Sequence, residues 1–239
     1  MRFLRTWRYR SLEGRVTPLI IGILILLPLY PILEGDRGDH SGLIVQFAFT
    51  ALIALGVWAA AAGPWLLAVG VVLATPAAIL NFVSLQSVEM EVLDAGFGFL
   101  FFLFATGAVT RAVVRGRINH HDLVKGGIAI YLLIGLTFMH VYRIIDTVDP
   151  NAFAFSQSQE QGGNWADYLY YSFVTLTTLG YGDIQPVARF AQSISITEAI
   201  IGPLFIAIFI AAVLHYRMQN PANGRDLHSE TSSRRDGDD

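Results

Sequence analysis

Thr175-Leu-Thr-Thr-Leu-Gly-Tyr-Gly-Asp183 is the stretch on which the reading of the whole chain turns. Gly180 and Gly182 stand two residues apart, with Thr178 two residues before the first of them. Glycine tolerates positive φ, so these two positions suit a backbone that must alternate between conformations resisted by residues with a Cβ. Gly-Tyr-Gly-Asp by itself would serve as an ordinary turn. Its setting argues for more, because an apolar run of membrane length lies on either side, Leu123 to Asp146 before it and Phe190 to Tyr216 after it.

The nine residues resemble the selectivity filter of the potassium channel pore-domain family, whose core pattern is Thr-Val-Gly-Tyr-Gly-Asp and here reads Thr178-Leu-Gly-Tyr-Gly-Asp183. The resemblance covers Leu123 to Tyr216. It implies that the permeant ion is K+, held by backbone carbonyls of Thr178, Leu179, Gly180, Tyr181 and Gly182 that replace its water shell. The Thr178 hydroxyl would add an oxygen at the cavity end. Leu179 departs from the family's usual Val or Ile but stays apolar, and with Tyr181 it is expected to turn outward and pack behind the filter. Asp183, Thr175, Tyr170, Tyr171 and Glu198 are the expected filter supports, with the two tyrosines where the family has an aromatic cuff. Val174 stands where some members carry a Glu that pairs with the filter Asp, so that pairing is absent here. One such strand cannot enclose an ion and four can, so the resemblance implies a homotetramer.

Composition agrees with a membrane protein. The chain has 239 residues, 54% hydrophobic and 15% charged, with mean hydropathy +0.51, which is too apolar for an ordinary soluble domain. It has no cysteine, which excludes a disulfide framework and a thiolate metal site. No Walker motif, metal-ligand spacing or nucleophile elbow occurs. The expected protein is therefore not an enzyme. It needs no cofactor apart from K+ as permeant ion, and its partners are membrane lipid and copies of itself, not nucleic acid.

Five apolar spans precede the filter: Val16 to Leu33, Gly42 to Ala62, Pro64 to Leu85, Val92 to Val114 and Leu123 to Asp146. With Phe190 to Tyr216 they make six expected transmembrane helices, because backbone in lipid must satisfy its own hydrogen bonds. The fold class expected is all-α. The domains are a basic N-terminus over 1–15, a four-helix accessory domain over 16–118, a pore domain over 119–218 and a disordered tail over 219–239. The first span also follows a basic start, as a secretory signal does, but lacks a small-x-small cleavage site and reads as a retained helix. Pro18 suits a first turn, while Pro28 and Pro31 should kink or end it. Of the 16 Lys and Arg, 13 lie in the two tails and around the link between the fourth and fifth spans, including Arg111, Arg115, Arg117 and Lys125. By the positive-inside rule both termini are cytoplasmic, in a multi-pass protein of the plasma (cell inner) membrane, and the filter opens outward.

Between the fifth span and the filter, Asp149-Pro-Asn-Ala and Gln161-Gly-Gly-Asn read as an exposed loop. Asn164 reads as an N-cap with Asp167 as its capping-box partner. Trp165 to Thr177 is too short to span and resembles the family's re-entrant pore helix, whose C-terminal dipole favours a cation. The last span resembles the pore-lining inner helix. Gly202 and Pro203 mark a bend, either a hinge or a static kink. Ile206, Ile210 and Leu214 share a face that either lines the cavity and gate or packs on the fifth helix. Glu198 is an ionisable group inside an apolar helix, read either as a brace to the pore helix through Thr175 or Ser172, or as a gating or ion-attracting group.

Other features carry less. Gly96-Phe-Gly98 lacks a preceding Thr and pore helix, so it is not a second filter. His120-His121 reads as a solvated pair. Arg143 should snorkel or pair with Asp94 or Asp146. From Ser41 to Thr110 there is no Lys, Arg or His, so a steep voltage sensor is not expected. The competing reading is a membrane signalling or regulatory subunit that keeps the filter sequence without conducting alone. A weakly selective cation channel is disfavoured by the intact Gly-Tyr-Gly.

Overall fold

Apolar runs separated by short polar links become helices here, the form that satisfies backbone groups where water is absent. The computed structural model describes residues 13–35, 41–61, 63–80, 87–115, 120–156 and 163–219. Its elements are α1 (Glu13–Gly35), α2 (Ser41–Ala60), α3 (Pro64–Leu80), α4 (Val88–Arg115), α5 (His120–Val148), β1 (Phe153–Phe155), α6 (Trp165–Leu176), β2 (Ile184–Pro186) and α7 (Arg189–Gln219). Three of them, α4, α5 and α7, are long and apolar enough to cross a membrane. The fully described apolar stretches of the first three helices, Gly14–Pro28, Gln46–Ala60 and Pro64–Leu80, are shorter than that.

Several boundaries differ from expectation. α1 begins at Glu13, so Pro18 lies beyond its first turn, and the helix passes both Pro28 and Pro31 to reach Gly35. Apolar helices tolerate such prolines when neighbouring groups satisfy the freed carbonyls. The expected end of the third span, Leu85, lies outside the described residues, which stop at Leu80. The tail over 220–239, expected to be disordered, and most of the basic N-terminus lie outside the described residues.

The fold is not purely helical. β1 and β2 pair antiparallel, with Phe153 opposite Pro186, Ala154 opposite Gln185 and Phe155 opposite Ile184. Ser156 N donates to Asp183 O at 2.8 Å, and Val187 N donates to Ala152 O at 2.8 Å. This ribbon fastens the segment after the filter to the segment after α5. It also corrects the reading of Asp149-Pro-Asn-Ala as wholly exposed, because Ala152 is buried and Phe153 beside it packs into the core. The Phe153 ring meets those of Tyr142, Tyr168 and Tyr171 at 5.4–5.8 Å. Burying an aromatic ring outweighs the local turn signal.

α5 is the axis of the molecule. It packs on α1 and α4 on one side, and on α6 and α7 on the other. Gly98 of α4 sits against His140 of α5 so closely that a Cβ there would overlap the imidazole. The His140 ring stacks on Phe102 at 5.4 Å and lies 5.9 Å from Phe49. Phe49 of α2 in turn lies 5.6 Å from Trp165, the first residue of α6. Arg143 pairs with Asp94 at 3.0 Å, tying α5 to α4.

Candidate functional site

The site begins with the way α6 is started and stopped. Asn164 Oδ1 accepts from Ala166 N at 2.9 Å and Asp167 N at 3.1 Å, while Asp167 Oδ2 accepts from Asn164 N at 2.9 Å. Donors left over at a helix start are thereby satisfied reciprocally. At the other end Thr178 N donates to Thr175 O and Leu179 N to Val174 O, both at 2.9 Å. These two bonds, around the C-cap Thr177, form a Schellman motif.

A Schellman motif needs a left-handed residue just past the cap, usually Gly. Here that residue is Thr178, at φ 59°. A β-branched residue in this region is an outlier, at a cost of about 1–2 kcal/mol. Gly180 at φ 57° and Gly182 at φ 80° follow, while Leu179 and Tyr181 between them keep negative φ. The sign of φ therefore reverses at every residue from Thr178 to Gly182. A backbone alternating in this way can turn successive carbonyls to one side, whereas an extended strand alternates them.

The flanks hold this segment from behind. Tyr170 Oη donates to Asp183 Oδ2 at 2.7 Å. The Tyr170 ring stacks parallel on Tyr181 at 6.4 Å. Gln185 Nε2 donates to Gly182 O at 2.9 Å. Leu179 and Tyr181 are 56% and 67% exposed in the single chain. The two adjacent tyrosines serve different neighbours. Tyr171 points away from Tyr181, with Oη 2.7 Å from Ser195 Oγ and its ring 4.8 Å from Tyr142.

Glu198 of α7 is fully buried. Tyr142 Oη of α5 donates to its Oε2 at 2.5 Å. Ser172 Oγ of α6 lies 2.6 Å from its Oε1 and 2.8 Å from Gly135 O of α5. The Ser172 hydroxyl has one proton, and both of these neighbours are acceptors. Its proton therefore serves one of them fully or is shared between both. The carboxyl thus joins three helices, with Ser172 as its partner on α6.

Gly202 has a role other than the bend for which it stands out in the sequence. A Cβ at this position would overlap the Leu176 carbonyl oxygen, so α7 meets the end of α6 backbone to backbone. The helix passes Pro203 unbroken. Ile206, Ile210 and Leu214 are all exposed in the single chain. Thr175 is half-buried, beneath the turn into Thr178.

Tyr142 and Tyr131 escape a motif-based reading. They are eleven positions apart on α5, about three turns, and so share one face. A hydroxyl repeated on one face of an apolar helix is the signal that could have found them.

The site is a strand of alternating φ sign held between a capped half-length helix and a long apolar one. Residues 127–219 match the model of a family described as "Ion channel". A stretch of 51 residues, 21% of this chain, is 43% identical to the two pore potassium channel c of rice (Oryza sativa subsp. japonica). That stretch spans 11% of the relative's length. Over residues 127–219 the chain is thus similar to ion-channel proteins.

Proposed function

We propose that the chain is one subunit of a homotetrameric, potassium-selective channel that lets K+ cross the cell membrane passively. The observation that carries this reading is the alternation of φ at Thr178, Gly180 and Gly182 within a sequence of the filter type. In it, carbonyls of Thr178, Leu179, Gly180, Tyr181 and Gly182 form the ion sites, and α6 is the re-entrant pore helix. Thr178 supports the reading in a second way. Its backbone favours glycine, so the side chain is kept against a conformational cost, as expected of a hydroxyl that touches the ion.

Four subunits are needed to complete a ring of carbonyls. The apolar α7 agrees, because Ile196, Ile200, Leu204 and Ile208 are each more than half exposed in one chain. In the tetramer some of this surface meets neighbouring subunits and some lines the cavity, where Ile206, Ile210 and Leu214 would form the constriction. The topology is six crossings, with a four-helix accessory domain over 16–118, a pore domain over 119–218 and both termini cytoplasmic. K+ is the permeant ion and no cofactor takes part. Flux from the purified protein in liposomes tests the reading. K+ efflux well above Na+ efflux, lost in Gly180→Ala with assembly retained, is the expected result. An assembled protein that passes no ions would favour the signalling-subunit reading instead.

A further inference from the structure

We propose that Tyr131 is a positioning residue for the filter, holding the last carbonyl of α6 through its hydroxyl and linking that carbonyl to the inner helix α7 through its ring. The proposal rests on the reading of Thr178–Gly182 as the conduction path.

A helix leaves its last four carbonyls without partners of its own. In α6 these are Phe173, Val174, Thr175 and Leu176. The residues that follow cover three. Phe173 O accepts from Thr177 N at 3.0 Å, Val174 O from Leu179 N at 2.9 Å, and Thr175 O from Thr178 N at 2.9 Å. The fourth, Leu176 O, lies beyond the reach of this local cap and accepts from Tyr131 Oη of α5 at 3.1 Å. The Leu176 carbonyl shares a rigid peptide plane with Thr177 N. Turning that carbonyl swings the chain at the point where it enters Thr178, the residue already held in a strained conformation. Its orientation therefore helps set where the first ring of oxygens stands.

The same carbonyl is the contact point of α7, since Gly202 lies directly against it. The Tyr131 ring lies 5.8 Å from Phe205 of α7, and Phe205 stacks on Phe209 at 5.9 Å and 10°. Phe209 fits over Gly127 of α5, where a Cβ would overlap its ring. The cytoplasmic half of α7 is thus keyed to α5 through three rings, and one of those rings carries the hydroxyl on Leu176. A shift of α7 that unstacks Phe205 moves the Tyr131 hydroxyl. That would give the inner helix a route to the filter that does not pass through the ion path.

Tyr131→Phe keeps the ring and removes the hydroxyl. In liposomes it is expected to assemble like the parent while its K+-over-Na+ flux ratio falls about fivefold, the factor that one net hydrogen bond is worth. A packing role alone would leave the ratio unchanged, and an unchanged ratio overturns the proposal. If Tyr131→Phe does not assemble, Phe205→Leu is measured instead. It keeps the hydroxyl but frees the ring, so a lowered ratio supports the link and a parental ratio overturns it. A parent protein that shows no preference for K+ would instead remove the underlying channel reading, which separates the two failures.

Discussion

The hydroxyl of Tyr142 lies 2.5 Å from Oε2 of Glu198 and closes a buried bridge between the fifth and seventh helices, with Ser172 completing it from the short helix between them. Three helices, α5, α6 and α7, are thereby tied together at one buried carboxyl. Glu198→Gln keeps the shape and can accept from Tyr142 while donating to Ser172. Glu198→Ala removes the carboxyl that Tyr142 donates to, leaves Ser172 only its bond to Gly135 O, and opens a cavity, at a cost of about 2–4 kcal/mol. The expected order of thermal stability of the assembled protein is parent, then Gln, then Ala. An Ala variant that assembles and conducts like the parent while Gln fails would sink the bracing role.

Thr178 separates backbone cost from side-chain chemistry. Replacing it with Gly relieves the left-handed strain of about 1–2 kcal/mol, part of which glycine's greater chain entropy offsets. Thr178→Gly should thus be at least as stable as the parent yet less selective for K+, while Thr178→Ser keeps the hydroxyl and most of the selectivity. Melting curves and K+/Na+ flux on the same samples check this. A Gly variant with parental selectivity would show that the hydroxyl is dispensable.

Gly202→Ala places a methyl where the Leu176 carbonyl stands. Overpacking of this kind costs about 1–3 kcal/mol and must be relieved by moving α7 or the end of α6. The expected outcome is reduced thermal stability together with altered selectivity. If Gly202 acts only as a hinge, the Ala variant changes open probability and leaves both stability and selectivity as in the parent. Single-channel recording beside a melting curve distinguishes the two.

Much of the local structure around the candidate site was legible in the sequence, for reasons that can be named. Asn164 and Asp167 announce a helix start because capping is local chemistry, readable within four residues. Gly180 and Gly182 announce positive φ because the residue type carries the conformation. Thr178 does not, since its left-handed backbone is dictated by the Schellman motif against its own preference. The β1–β2 ribbon was hidden because three-residue strands leave no periodicity to detect, and its pairing partners are about thirty residues apart. The partners of Glu198 and Leu176 on α5 were hidden for the same reason of distance. An isolated Glu in an apolar helix says that a partner must exist, but only the packing of α5 on α6 says that it is Tyr142.

The proposed channel should respond weakly to voltage. Steep sensors carry about 3–4 gating charges per subunit, each worth roughly 2.3 kcal/mol per 100 mV. The second, third and fourth helices contain no Lys, Arg or His before Arg111, and Arg111 and Arg115 lie exposed at the end of α4. Bilayer recordings between about −100 and +100 mV should give a shallow conductance–voltage curve. A curve as steep as several charges per tetramer would show that these arginines move through the field.

The central claim, potassium selectivity at Thr178 to Gly182, is tested most directly by the reversal potential of the reconstituted protein with K+ on one side of a planar bilayer and Na+ on the other. Each tenfold preference for one monovalent ion moves that potential by about 59 mV. A selective filter predicts a reversal displaced by about 100 mV or more in the direction that marks K+ as the permeant ion, with the displacement lost in Gly180→Ala. A conducting parent that reverses within a few millivolts of zero would contradict the account.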